Sequence, residues 1–109
     1  MNWMSSFNRK KHQRRINRCV RKINENIKND NLWQGRFVMR QVGTPQFVIY
    51  EDRSGADLYK VQFKITDKIT GAVAYSDYKS GNEWCFFDGS KIWHFANDTI
   101  IKWREEYDF

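Results

Sequence analysis

Cysteine and proline are scarce in this chain of 109 residues. Its two cysteines, Cys19 and Cys85, lack the CxxC spacing and the nearby histidines of a zinc site. We therefore expect two reduced, buried thiols, and neither a metal site nor a disulfide framework. The single proline and the six glycines argue against a disordered chain. No apolar run approaches the roughly 18 residues of a membrane-spanning helix, so none is expected.

Targeting and catalytic signatures are missing as well. Near the N-terminus the charges follow rather than precede any hydrophobic stretch, which is not the pattern of a secretory signal, so we expect a cytoplasmic protein. The sequence contains no GxxxxGKS/T, GxGxxG or HExxH motif. No two carboxylates fall on strand positions that would bring them together for hydrolysis or metal binding. We predict a protein that is not an enzyme, with no cofactor.

A cysteine and a histidine could lie close together in one predicted hairpin. Asp88 and Gly89 fit a tight hairpin turn between EWCFF and KIWHF, and a two-residue turn would make Cys85 and His94 diagonal neighbours. We interpret this pair as an inert thiol and a half-buried histidine among aromatic side chains. No catalytic residue is assigned.

Positive charge is concentrated at the start of the chain. Residues 1–30 contain nine Lys and Arg and two acidic residues, whereas residues 31–109 contain ten and eleven, respectively. The net charge of +6 therefore comes from the first quarter of the sequence. A basic excess confined to one segment indicates a polyanionic partner.

This basic segment has the periodicity of an amphipathic helix, predicted over residues 5–29 with Ser5 or Ser6 as its cap. Its apolar stripe contains Ile16, Val20, Ile23 and Ile27, with Cys19 at the edge. Eight cations project within about 140° on the opposite side: Lys10, Lys11, Arg14, Arg15, Arg18, Arg21, Lys22 and Lys28. Because the stripe begins at Ile16, residues 7–15 are predicted to extend beyond the body of the protein.

Short strand-like runs follow, separated by turn signals. Strands are predicted at 32–42, 46–52, 57–67, 72–78 and 83–87, with the GTP segment at 43–45 as the first turn. Residues 97–109 fit a strand or a short helix, and the acidic residues near the C-terminus favour the strand because they oppose a helix macrodipole. The predicted core comprises Ile16, Val20, Ile23, Ile27, Phe37, Phe47, Ile49, Tyr59, Val61, Phe63, Ile65, Trp84 and Phe86.

The predicted fold is thus α+β and a single domain, 1–109. A long basic N-terminal helix packs on an antiparallel meander of five to seven strands that occupies 32–109. Alternation in DLYKVQFKITD leaves Lys60, Gln62 and Lys64 on the solvent face of that sheet.

The strongest functional signal is for binding of nucleic acid or a nucleoprotein. A rigid row of Lys and Arg can neutralise successive phosphates and release counterions, and Arg adds bidentate contacts. The predicted contact residues are Lys10, Lys11, Arg14, Arg15, Arg18, Arg21 and Lys22. Amides on the same segment could read base edges or hold the backbone: Asn8, Gln13, Asn17, Asn24 and Asn26. The expected partner is DNA, RNA or a nucleoprotein that contains one of them.

Two alternatives stay open. The basic helix could dock on an acidic protein surface as an inhibitor, without nucleic-acid contact. It could also lie on an anionic membrane surface with Trp3, Met4 and Phe7 inserted. The isoleucine stripe is better used against the sheet, so no membrane partner is expected.

The basic head FNRKKHQRRINR and the aromatic meander resemble the small accessory proteins of bacteriophages and mobile elements, a group that includes inhibitors of CRISPR–Cas nucleases. The resemblance is one of size and composition over the whole chain. It implies a bacterial host cytoplasm and a target in host or defence machinery. Many such inhibitors are acidic mimics of nucleic acid, and this chain has the opposite charge. An inhibitor of this type would bind guide or target nucleic acid, or an acidic surface of the nuclease.

Overall fold

A computed structural model describes residues 3–29, 35–47, 59–80 and 90–107, and the side chains of 10–29, 35–46, 60–79 and 91–107. The elements are α1 (Trp3–Asn29), β1 (Phe37–Phe47), β2 (Tyr59–Asp67), β3 (Val73–Tyr75), β4 (Lys79–Ser80) and α2 (Ser90–Tyr107). The predicted α+β class and the N-terminal helix are confirmed. The helix begins at Trp3, so Ser5 and Ser6 lie inside it and the prediction that one of them caps it is wrong. Neither described helix is both long and apolar enough to cross a membrane.

The sheet is smaller than the predicted meander. β1 pairs antiparallel with one edge of β2, and β3 and β4 pair in turn with its other edge. Between β3 and β4, the Ser76 N–H donates to the Phe63 carbonyl over 2.8 Å, and the Phe63 N–H donates to the Ser76 hydroxyl over 2.9 Å. The two short pieces therefore act as one interrupted strand of a three-strand sheet. Five to seven strands are not seen in the described part, and the predicted strand at 83–87 lies outside it.

The GTP segment, predicted to be a turn, is a bulge inside β1. Val42 lies opposite Gln62 and Gln46 lies opposite Lys60, so three residues of β1 face one residue of β2. Gly43 has a φ of +67°, which a residue without a side chain adopts at little cost. Pro45 cannot donate to the ladder, and a bulge tolerates that. The predicted strand at 46–52 is thus partly a continuation of β1, and 48–52 lie outside the described residues.

The hairpin between β2 and β3 is built around a buried carboxylate. Asp67 is fully buried and accepts hydrogen bonds from Arg36 Nε at 3.0 Å and Nη2 at 2.9 Å. The Ile69 N–H and the Thr70 hydroxyl also donate to it. Burial alone would raise the pKa of Asp67, but these hydrogen bonds outweigh it and lower the pKa to about 2. The carboxylate therefore stays ionised and fixes the turn.

Both helices and the sheet share one apolar cluster. It consists of Ile16, Cys19, Ile23, Ile27, Phe37, Met39, Val61, Phe63, Ile65, Ile92, Ala96, Ile100 and Trp103. The strand members all occupy one face of β1 and β2, so both helices lie on that face. Seven predicted core residues are confirmed, and Val20 is half-buried against the cluster. The remaining five predicted core side chains lie outside the described ones: Phe47, Ile49, Tyr59, Trp84 and Phe86.

The C-terminal segment is an 18-residue helix, and the preference for a strand is wrong. Ile92, Ala96, Ile100 and Trp103 recur at helical spacing, and the Trp103 ring stacks on Phe37 with centroids 6.0 Å apart. Burying a large apolar side chain contributes about 1.5–3 kcal/mol, whereas an acidic residue near a helix C-terminus costs about 0.3–1 kcal/mol. Burial therefore decides the conformation.

The same helix removes the predicted hairpin at Asp88-Gly89, because KIWHF is helical rather than extended. His94 is exposed on α2, and the strand register that would have placed it beside Cys85 does not exist. Cys85 and the EWCFF run lie outside the described residues.

Candidate nucleic-acid interface

One side of α1 is anchored in the core and the other side displays cations. Ile16, Ile23 and Ile27 are at most 1% exposed. At about 100° per residue, the exposed basic residues point away from them: Lys10, Lys11, Arg14, Arg18, Arg21, Lys22 and Lys28. The first six of these residues are called the cationic face below. The apolar stripe fixes its direction relative to the sheet.

Side-chain amides tie α1 to the open edge of β1. Asn24 donates to the Met39 carbonyl over 2.9 Å and accepts from the Met39 N–H over 2.8 Å, which reproduces the bonds of a neighbouring strand. Gln13 and Gln41 form a reciprocal amide pair, with distances of 2.6 and 3.1 Å. Gln13 also donates to Asn17. These amides were predicted to contact nucleic acid, but Gln13 and Asn24 instead hold the helix in place.

The predicted overhang of residues 7–15 is wrong at its C-terminal end. His12 is 3% exposed, and Gln13 is joined to β1 through Gln41. Contact with the body therefore begins one turn before Ile16. The reason is that the helix lies along β1. Polar groups at the edge of β1 can hydrogen-bond to a polar side chain such as Gln13, whereas an apolar core could not.

Of the seven predicted contact residues, six are exposed and Arg15 is half-buried. Arg15 and Lys22 each have an interaction partner. Lys10, Lys11, Arg14, Arg18 and Arg21 are not part of the ion pair found among the described residues, which joins Arg36 to Asp67. The described carboxylate of α1, Glu25, is exposed on the same side, four residues after Arg21, so the part of the cationic face farthest from a described α1 carboxylate runs from Lys10 to Arg18.

A groove between α1 and β1 adds a cation that the sequence analysis did not select. It has a volume of about 380 Å³ and is lined by Asn17, Val20, Arg21, Arg40 and Gln41. Arg40 comes from β1 and meets Arg21 of the cationic face across the half-buried Val20. Alternation along MRQV could have marked Arg40 as solvent-facing, but only the register of α1 on β1 brings it beside Arg21.

The face of the sheet turned away from the helices, called the outer sheet face, is also basic. Arg40, Lys64 and Tyr75 form one row across β1, β2 and β3. Lys60 lies opposite Gln46 in another row, and the Gln46 amide lies 3.5 Å from the Tyr78 hydroxyl. Lys60, Gln62 and Lys64 alternate with the buried residues of β2 as predicted, but they are half-buried rather than fully exposed to solvent.

No site for thiol or metal chemistry is found in the described part of the chain. Burial of Cys19 raises the pKa of its thiol to about 11, although Lys22 acts in the opposite direction. Such a thiol is unreactive at neutral pH. Within residues 3–29, 35–47, 59–80 and 90–107, no three His, Cys, Asp or Glu side chains are close enough together to hold a metal ion.

Comparison with protein-family models, with curated proteins and with solved structures gives no match to this chain.

Proposed function

We propose that this protein binds nucleic acid, free or in a nucleoprotein, through the cationic face of α1 and without catalysing a reaction. The observation that supports this most directly is the exposure of Lys10, Lys11, Arg14, Arg18 and Arg21 on a helix whose opposite side is fully buried. The cations are thus held by a structured scaffold and presented in one direction.

The spacing of the cations suits a phosphate backbone. Lys11, Arg14, Arg18 and Arg21 follow one another at intervals of three and four residues, which forms a continuous line along a helix. Glu25 interrupts this line between Arg21 and Lys28, so that the uninterrupted cations from Lys11 to Arg21 span about 15 Å at 1.5 Å per residue. Each phosphate contact releases condensed counterions, which makes such binding favourable and dependent on salt.

The arrangement also has a cost that a purely structural helix would not carry. Lys10–Arg14, Arg14–Arg18 and Arg18–Lys22 are like-charged pairs four residues apart, each destabilising by a few tenths of a kcal/mol. Replacing these cations should therefore leave the fold intact or stabilise it slightly. Their presence is explained if they serve a polyanionic ligand.

The test is fluorescence anisotropy of labelled single-stranded DNA, duplex DNA and RNA over a salt series. If the six residues of the cationic face each neutralise one phosphate, log Kd should change with log salt with a slope of about 5 for a duplex and about 4 for a single strand. The variant Arg14→Glu/Arg18→Glu should weaken binding by at least about tenfold at low salt and reduce this slope by about 2.

A charge-matched variant on α2 provides the control. Lys91 and Lys102 are exposed there, and Lys91→Glu/Lys102→Glu lowers the net charge by the same amount. Its binding should stay much closer to that of the unmodified protein. Equal weakening by both variants would mean that only the net charge matters, and absence of salt-dependent binding to all three ligands would contradict the proposal.

The resemblance to bacteriophage and mobile-element accessory proteins indicates a biological context for the proposed binding, namely a bacterial host cell. There the ligand would be the nucleic acid of a host or defence nucleoprotein, such as a CRISPR–Cas nuclease. A protein that bound such a nuclease equally well after its nucleic acid was removed would instead be docking on an acidic protein surface.

A further inference from the structure

We infer that the ligand is a single-stranded nucleic acid, and that its bases stack on the outer sheet face while its phosphates follow the cationic face. This inference rests on the proposed function and specifies its ligand. It is based on two exposed tyrosines of the outer sheet face and on the groove between α1 and β1. Phosphate binding by α1 alone would explain neither feature.

Aromatic rings are exposed on this face rather than used in the core. Tyr75 is 58% exposed and Tyr78 is 48% exposed. Tyr75 lies beside Lys64 on the neighbouring strand, and the Tyr78 hydroxyl reaches Gln46 on β1. Their rings are therefore attached to the sheet, and each offers a π surface to solvent.

The charges on the same face suit a polyanion. Arg40, Lys60 and Lys64 occupy its rows. In the strand register Arg40 lies opposite Lys64, and the other residues opposite these cations are Gln46, Tyr75 and Ser80. Lys60 also has an interaction partner. Asp67 belongs to the opposite, buried face, where it is bonded to Arg36. Among the described residues, Asp77 is a carboxylate next to Tyr78 in sequence, and it is exposed in the link between β3 and β4. Cations next to exposed rings are the combination that binds single strands, with phosphates on the cations and bases on the rings.

The groove connects this face to α1. Arg21 belongs to the cationic face and Arg40 begins the row that continues through Lys64 to Tyr75. A nucleic-acid strand whose backbone follows α1 can pass between Arg21 and Arg40 and reach the tyrosines. Along this path its phosphates stay next to basic side chains. The half-buried Val20 gives the groove an apolar floor.

Stacking selects the single strand over the duplex. In a duplex the base faces are covered by neighbouring base pairs, so a ring on a protein surface cannot reach them without unstacking. An unpaired strand exposes every base face, and stacking on an aromatic side chain is tolerant of sequence. The tyrosines therefore add affinity for single strands only, whereas the cations attract both forms.

The experiment compares a single-stranded DNA with ligands that differ from it in their bases, in base pairing or in their sugar. Anisotropy is measured with a labelled single-stranded DNA, an abasic strand of the same length, a hairpin duplex, and a single-stranded RNA of the same base sequence. The protein should bind the single strand at least about fivefold more tightly than the abasic strand. The affinities for the single-stranded DNA and for the single-stranded RNA show whether deoxyribose or ribose is preferred.

Variants then locate the effect. Tyr75→Ala should weaken single-strand binding by about fivefold or more without changing the salt slope, and should leave abasic-strand binding unchanged, because stacking is not ionic. Tyr75→Phe keeps the ring and should bind as the unmodified protein does. Tyr107→Ala removes a tyrosine that is 45% exposed on α2 and should have no effect.

The outcomes separate this inference from the proposed function. Salt-dependent binding that is equal for normal and abasic strands would overturn the stacking inference and leave the cationic face intact as a binding site. Loss of abasic-strand binding in Tyr75→Ala would point to a general structural defect and also overturn it. Binding of polyglutamate as tight as that of the single strand would favour an acidic protein partner. Failure to bind any nucleic acid would remove both proposals.

Discussion

At the scale of single residues, the best-defined ionic contact lies beneath the β2–β3 hairpin, away from the cationic face. Arg36 holds Asp67 through two parallel hydrogen bonds, and the Arg36 guanidinium also lies 5.3 Å from the centroid of the Phe37 ring. Breaking a buried pair by removing one partner costs about 3–5 kcal/mol, because the other charge remains unpaired. This pair therefore stabilises the fold and involves no cation of α1.

The depressed pKa of Asp67 predicts a specific loss of stability in acid. The pKa in the folded state is about 2, below the unfolded value of 3.8, so the stabilisation is present above about pH 4 and is lost as the pH falls toward 2. The shift corresponds to about 2 kcal/mol. Urea denaturation at neutral pH and at several acidic pH values should show this decrease in the free energy of unfolding. In Asp67→Asn, the part of the decrease that comes from this carboxylate should be absent.

Asp98→Asn makes the same chemical change at an exposed site on α2 and serves as the control. It should leave stability at neutral pH nearly unchanged, whereas Asp67→Asn should lower it by about 3 kcal/mol. Equal stability of the two variants would mean that Asp67 does not anchor the hairpin.

The exposure of single residues on α1 was largely predictable. A period of 3.6 residues separates the isoleucines from the cations, and the structure preserves that division for six of the seven selected residues. Arg15 is the exception, because it lies at the edge of the cationic arc next to the buried Cys19 side of the helix. Periodicity assigns a direction to a side chain but does not say how far a neighbouring element reaches around the helix.

At the scale of elements, β1 is an edge strand whose outward backbone groups are covered by a helix. Asn24 satisfies both the N–H and the carbonyl of Met39, so that this part of the edge is closed to another strand. Gln13 adds a second amide contact through Gln41. The same contacts orient α1, which in turn orients the cationic face.

Replacing Asn24 should therefore loosen the helix on the sheet. Asn24→Ala removes two hydrogen bonds and should destabilise the protein by about 1–3 kcal/mol, measured by chemical denaturation. Asn26→Ala is a matched control, since Asn26 is exposed on the same helix and gains the same helix propensity on replacement. If Asn24→Ala were as stable as Asn26→Ala, the amide would not be anchoring β1.

The elements that were mispredicted share a physical cause. The GTP segment and residues 90–107 were interpreted from local signals, namely turn residues and helix-terminal charge. In the structure, pairing with β2 continues past Gly43, and α2 forms because Ile100 and Trp103 gain burial. Tertiary contacts outweighed local preferences of at most about 1 kcal/mol.

At the scale of the whole molecule, the two helices and the sheet unfold together if they share one core. Ile100 is 1% exposed, whereas the adjacent Ile101 is 45% exposed. Ile100→Ala should destabilise the protein by about 2–5 kcal/mol and shift a single cooperative transition followed by circular dichroism and by tryptophan fluorescence. Ile101→Ala should cost far less. Two separate transitions in the unmodified protein would show that α2 is not part of this core.

The distribution of function over the molecule follows from this packing. One face of the sheet is covered by helices, and the outer sheet face carries the exposed side chains of Arg40 and Tyr75. The proposed phosphate contacts lie on α1 and the inferred stacking contacts lie on the outer sheet face, joined through Arg21 and Arg40. A ligand would thus wrap around the β1 edge of the molecule.

The sequence by itself determined the α+β class, the basic helix, the alternation of β2 and the exposure of most selected cations, because these depend on periodicity within one element. The strand count, the helical C-terminus, the anchoring roles of Gln13 and Asn24, and the meeting of Arg21 with Arg40 were decided by the tertiary structure. Those features depend on which elements lie next to each other, and contacts between residues distant in sequence leave no periodic signal along the chain.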